Sequence, residues 1–144
     1  MKRTVISIAF ILVFIPLLLS GCKSSDGNVA YKDGTYVGKS SEDDQGAYGE
    51  ATITVKDARI TDCKYVTREK NGTIKDENYG KVNGEISNRD YYDKAQHAVA
   101  AMEQYAQKLV KVQKPEAVDA ISGATIAFNQ FKEAVNNALE EAKK

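Results

Sequence analysis

The chain opens on an almost unbroken apolar run, Val5 to Leu19, interrupted only by Ser7 and Pro16. Beyond it the hydrophobic pattern becomes periodic. Ala51-Thr52-Ile53-Thr54-Val55 alternates with Ile53 and Val55 on one face, the period of a half-buried strand. Arg59 to Thr67 reads as a second strand, and Lys56-Asp57-Ala58 between them as a turn, which predicts a hairpin. Upstream, Asp33-Gly34 signals a turn and Thr35-Tyr36-Val37 begins a short strand. Asn71-Gly72 is another turn, and the polar stretch from Thr73 to Asn88, with Gly80, Asn83 and Gly84, predicts irregular loop. Tyr65 to Tyr79 is expected to add at most one more hairpin.

The period then lengthens. Ala95, Val99, Met102, Ala106 and Leu109 recur at helical spacing, and Tyr105 widens the stripe. Ser87 or Asn88 can cap this helix, and Pro115 ends the segment. Phe128, Phe131, Val135, Ala138, Leu139 and Ala142 form a second stripe. Neither helix carries the Lys/Arg-rich polar face of a membrane-surface helix, so both stripes are read as core. The expected fold class is α+β: a small antiparallel sheet packed against two amphipathic helices.

The N-terminal run is about 15 residues long, short of the roughly 20 needed to cross a bilayer. Lys2 and Arg3 precede it and Leu19-Ser20-Gly21-Cys22 follows. That order resembles the bacterial lipobox. The resemblance implies a signal peptide over residues 1–21 and lipidation of the Cys22 sulfur. It further implies acylation (palmitate) of the new amino group and anchoring on the extracytoplasmic face of the cell membrane. Two or more acyl chains suffice for stable anchoring. Residues 22–30 then form a polar tether and residues 31–144 the folded domain.

Composition narrows the function. With 42% hydrophobic and 28% charged residues the chain is ordinary globular material. Twenty Lys+Arg balance twenty Asp+Glu, so the basic excess of a nucleic-acid binder is missing. Without Lys2 and Arg3 the exported part is mildly acidic. Once Cys22 is lipidated, Cys63 has no partner for a disulfide and reads as a packed residue rather than a redox thiol. Glu42, Asp43 and Asp44 read as a solvated loop rather than a cation site. His97 is the only histidine, so a zinc site is not expected; one histidine would suffice for a hydrolase triad, but there is no nucleophile elbow and no phosphate-binding glycine loop. No catalytic residue and no metal ligand is assigned.

What remains is Asp119-Ala120-Ile121-Ser122-Gly123-Ala124-Thr125, directly before the second helix. Ser122 or Thr125 can cap that helix. Gly123 permits positive φ and close backbone approach, and Ala124 adds little bulk. A hydroxyl at a helix start, beside free N–H groups and the positive dipole end, is a favourable seat for a phosphate. On these residues alone a plain helix cap and a phosphate seat stand equally open.

Asp-x-x-Ser-Gly-Ala-Thr resembles the flavinylation motif of the FMN-binding domain family. That family includes flavin-bearing subunits of the sodium-pumping NADH:quinone oxidoreductase and of the Rnf complex, and lipid-anchored electron-transfer lipoproteins. Asp33-Gly34-Thr35-Tyr36 resembles its opening, and the hairpin from Tyr48 to Val66 its strand pair. The resemblance implies one covalent FMN, joined through its phosphate to Thr125, with Asp119, Ser122, Gly123 and Ala124 as recognition positions. It implies a separate Mg-dependent flavin transferase with FAD as donor, redox partners at the membrane, and an electron carrier rather than a substrate-converting enzyme. With a single anchor, the match is to the lipoprotein members and not to the subunits of the complexes. Tyr48, Tyr91 and Tyr92 are candidates for contact with the isoalloxazine ring, although ordinary core or surface roles suit each better. The competing class is a lipid-anchored binding or adhesion protein without a cofactor, the motif being only a helix cap.

Overall fold

The computed structural model describes residues 31–143; the apolar run, Cys22 and the tether lie outside them. Strands β1 (Gly34–Lys39), β2 (Tyr48–Lys56) and β3 (Arg59–Arg68) form one antiparallel sheet in that order. Helices α1 (Arg89–Val112) and α2 (Thr125–Lys143) follow, with a 3-10 turn at Pro115–Ala117 between them. This is the α+β arrangement that the periodicity predicts. No helix among the described residues is long and apolar enough to cross a membrane.

The alternation of β2 buries Gly49, Ala51, Ile53 and Val55. Strand β3 keeps to the same face only through a bulge. Val55 pairs with Ile60 but Thr54 with Asp62, so Thr61 is an extra residue. It shifts the inward parity from Ile60 to Cys63, Tyr65 and Thr67; without it Ile60 and Tyr65 would point to opposite faces. The hairpin turn is two residues long, with Asp57 at φ 52 and Ala58 at φ 57. Positive φ at both positions is the type I′ geometry that matches strand twist. Ala58 holds it despite its Cβ, at a cost of about 1 kcal/mol, and its N–H donates to Asp33 Oδ1 at 3.2 Å.

Both helices cover this one face, α2 over β1 and β2 and α1 over β3. Ile53, Tyr105, Leu109, Phe131 and Val135 are its largest fully buried side chains. Gly38 sets how closely α2 lies on β1. A Cβ there would stand 2.0 Å from the Ala134 carbonyl oxygen and 2.4 Å from the Ala138 nitrogen. Helix backbone therefore rests on strand backbone, and the fully buried Ala134 and Ala138 leave room for it.

The helix ends are tied down by side chains. Asn88, one of the two expected caps, accepts from the Tyr91 N–H at 3.0 Å. At the other end of α1, Gln113 turns left-handed and brackets Ile60, accepting its N–H and donating to its carbonyl, both at 2.9 Å. The segment from Glu69 to Asn88 is irregular, as its composition predicts, held by isolated bridges between Arg68 and Ile74 and between Val82 and Glu85.

Candidate functional site

The loop before α2 is a built turn. The Ala124 N–H donates to the Ile121 carbonyl at 3.0 Å, closing a four-residue turn with Gly123 third, at φ 81. That is the position of a type II turn where glycine is favoured. Two side chains of α1 hold the turn from below. The Tyr105 hydroxyl accepts from the Ile121 N–H at 3.0 Å and donates to the Ala124 carbonyl at 3.3 Å. His97 Nε2 lies 2.8 Å from the Ser122 carbonyl oxygen. That oxygen only accepts, so Nε2 carries the proton. A Cβ on Gly123 would meet the His97 ring at 3.3 Å.

Helix α2 then starts without a side-chain cap. The Ala124 carbonyl accepts from the Phe128 N–H at 3.0 Å, which puts Ala124 at the cap position and Thr125 at the first helical one. Ser122 and Thr125 are both exposed, and neither hydroxyl makes a hydrogen bond to the described residues. The expected hydroxyl cap is therefore not formed: the Gly123 turn brings a methyl side chain to the cap position. The N–H groups of Thr125, Ile126 and Ala127 are left for another acceptor, at the positive end of the helix dipole.

Thr125 stands on the wall of a cleft of about 460 Å³. The start of α2, from Gly123 to Ala127 together with Gln130, forms part of its lining, and Thr67, Lys75 and Tyr79 another part. Ala98 and Met102 of α1 also line it, and the acidic loop Asp43-Asp44-Gln45 closes another side. The walls are fixed to each other. The Tyr65 hydroxyl donates to the Ala127 carbonyl at 2.7 Å, and Gln130 Nε2 donates to the Ala47 carbonyl at 2.9 Å. Lys75 is held by its N–H on the Thr67 carbonyl at 2.9 Å, and its ammonium lies 4.7 Å from the centre of the Tyr79 ring. The Tyr91 hydroxyl donates to the Tyr79 oxygen, which holds the Tyr91 phenol above its usual range.

The structure sorts the residues singled out in the sequence. Gly123, Ala124 and Thr125 line the cleft, Ser122 holds the turn through its carbonyl, and Asp119 is exposed and outside the cleft. Tyr48, Tyr91 and Tyr92 do not line it; Tyr48 carries Lys39 over its ring, and Tyr92 donates to the Glu77 carbonyl. The acidic loop is more than a solvated stretch, which corrects the expectation. Asp43 Oδ1 accepts from the N–H groups of Gln45 and Ala47, both at 2.9 Å, and Asp43 and Asp44 face the cleft. Cys63 is packed as expected; burial, aided by Asp62, pushes its thiol up to about 12. Lys75, Tyr79 and Gln130 were not anticipated. Gln130 alone left a signal, a polar residue on the inward stripe between Ala127 and Ala134.

The pattern also matches known proteins. The model of the FMN-binding domain matches residues 45–140, two thirds of the chain. The chain belongs to the FMN-binding domain family. The matched region runs from Gln45 through β2, β3 and α1 into α2 and takes in the whole motif. A crystal structure of a Clostridium perfringens protein is similar over 78% of this chain and 89% of its own, at 26% identity and a TM-score of 0.61. A solution structure of a Clostridium thermocellum protein covers 78% and 93%, at 24% identity and a TM-score of 0.48. No curated protein matches the chain. The protein is a flavoprotein, and FMN is the flavin that its family binds.

The cleft fits such a group. Its volume is in the range of small-molecule sites. It combines uncapped N–H groups for a phosphate with apolar surface from Met102, Tyr79 and Ile126, which is 68% exposed.

Proposed function

We propose that this protein is a lipid-anchored, extracytoplasmic flavoprotein that carries electrons through one FMN, bound covalently through its phosphate to Thr125. The observation that carries the reading is the Thr125 hydroxyl: exposed, free of hydrogen bonds to the described residues, at an uncapped helix start on the wall of the cleft. A helix-cap role needs that hydroxyl, or the one on Ser122, bonded to a first-turn N–H, and neither makes such a bond. This disfavours the cofactor-free binding protein.

In the attachment step the Thr125 oxygen bonds to the FMN-side phosphorus of FAD. The pyrophosphate bond breaks, AMP leaves, and the hydroxyl proton passes to the flavin transferase. The free N–H groups of the first turn then face the phosphodiester, with a gain of about 0.3–1 kcal/mol from the dipole. Retention comes from the covalent bond, which matters for a protein facing an open volume into which a loose cofactor would be lost. Bound FMN supplies the redox chemistry; the residues of the cleft supply position and electrostatics. The lipobox-like segment supports anchoring through Cys22.

Coexpression with a flavin transferase tests the assignment. The parent protein should keep in-gel flavin fluorescence and the added FMN mass after denaturation. Thr125→Val, which keeps the β-branched shape and removes the oxygen, should lose both. Flavin that stays on Thr125→Val through denaturation would refute the site. A parent that never loads would refute the covalent reading. Cys22→Ala should lose lipid labelling and accumulate as precursor; normal membrane retention of that variant would refute the anchor.

A further inference from the structure

Lys75 is the one cationic side chain among the described residues that line the cleft. It is half-buried, and no carboxylate of the described residues lies within ion-pair distance of it. Asp43 and Asp44 line the same cleft but make no ion pair with Lys75; the Asp43 carboxylate accepts from the N–H groups of Gln45 and Ala47 and from Gln130 Nε2. The ammonium rests instead on the face of Tyr79, where a quadrupole attracts it without cancelling its charge. A cation without an ion-pair partner on the wall of a cleft is available to a group that gains negative charge there.

The geometry points to Lys75 as the residue that raises the reduction potential of the flavin. This rests on the proposed occupancy of the cleft. Thr125 fixes the phosphate at the start of α2, and Lys75 and Tyr79 line the same cleft. Reduction adds electrons and negative charge to the ring system. A fixed cation beside that ring favours the reduced form over the neutral oxidised one, the more so where water is partly excluded. Tyr79 acts here as a positioning residue, since its ring holds the ammonium in place.

The test uses the full chain coexpressed with a flavin transferase and purified in detergent. Lys75→Met keeps the length and packing of the stem and removes the charge; Lys75→Arg keeps the charge. Flavin mass and in-gel fluorescence are read first, so that loading is scored apart from potential. Both variants should load like the parent. Spectroelectrochemical titration should then show the reduction equilibrium of Lys75→Met weakened about tenfold, near 30 mV for a two-electron couple, with Lys75→Arg close to the parent. A loaded Lys75→Met with an unchanged potential overturns the inference, as does Lys75→Arg behaving like Lys75→Met. A folded Lys75→Met that fails to load also overturns it and assigns the charge to docking of the flavin donor. A parent that does not load removes the reading beneath it.

Discussion

Removing one oxygen from Tyr105 should loosen the motif without emptying the core. Tyr105 is 1% exposed, and its ring lies between Phe128 at 5.4 Å and Phe131 at 5.5 Å. Tyr105→Phe keeps all of that packing and deletes only the hydroxyl. Two hydrogen bonds go with it. The Ala124 carbonyl still accepts from Phe128, so little is lost there. The Ile121 N–H has no other partner among the described residues and is only half-covered, so water replaces part of the bond. A buried orphan donor costs about 1–3 kcal/mol, and partial hydration puts this one near the lower end, about 1–1.5 kcal/mol. For a domain of this size that lowers Tm by roughly 5–8 °C. Urea and thermal unfolding followed by circular dichroism measure it. The second readout is the initial rate of flavin transfer at a temperature where both proteins are folded. It should fall severalfold, because His97 alone then pins the Ile121–Ala124 turn to α1. Unchanged stability would refute the hydrogen-bond account. Lost stability with an unchanged transfer rate would refute the claim that the hydroxyl sets the presentation of Thr125.

Two further outcomes follow from close packing and burial. Gly38→Ala should destabilise by about 3 kcal/mol or more, because its Cβ meets helix backbone rather than a side chain that can turn away; urea unfolding decides it, and a variant as stable as the parent would disprove the backbone contact. Burial holds the Cys63 thiol at about 12, above its ordinary 9.0, so the fold favours the protonated form. That contribution is complete below pH 9 and is lost as pH rises toward 12. Alkylation of Cys63 at pH 8, followed by peptide mass spectrometry, should run on the order of a hundredfold slower in native protein than in urea, and equal rates would refute the burial argument.

What the sequence made legible, and what it hid, divides along physical lines. The β2 alternation and the two helical stripes were readable because burial of a face imposes a period on contiguous residues. Strand β1 was legible only in part. Gly38 looks like a breaker until α2 is laid on it, and its meaning depends on Ala134 and Ala138, about a hundred residues away in a chain whose contacts no local period reports. The same holds for the site. Asp43 passed for a solvated charge because its partners are N–H groups of its own loop. Tyr105 passed for core because its hydroxyl acts on a loop that only the fold brings over α1. Lys75 and Tyr79 sit in a segment with no period at all. The motif around Thr125, in contrast, was legible as a unit. On the proposed function this contrast has a cause. A transferase must recognise its acceptor as a short, exposed stretch of backbone and side chain, so the acceptor has to be contiguous in sequence: a glycine turn, a small residue, a hydroxyl. The cleft that afterwards surrounds the flavin has to be correct only in three dimensions, and its residues can come from anywhere that β3, α1 and α2 bring together.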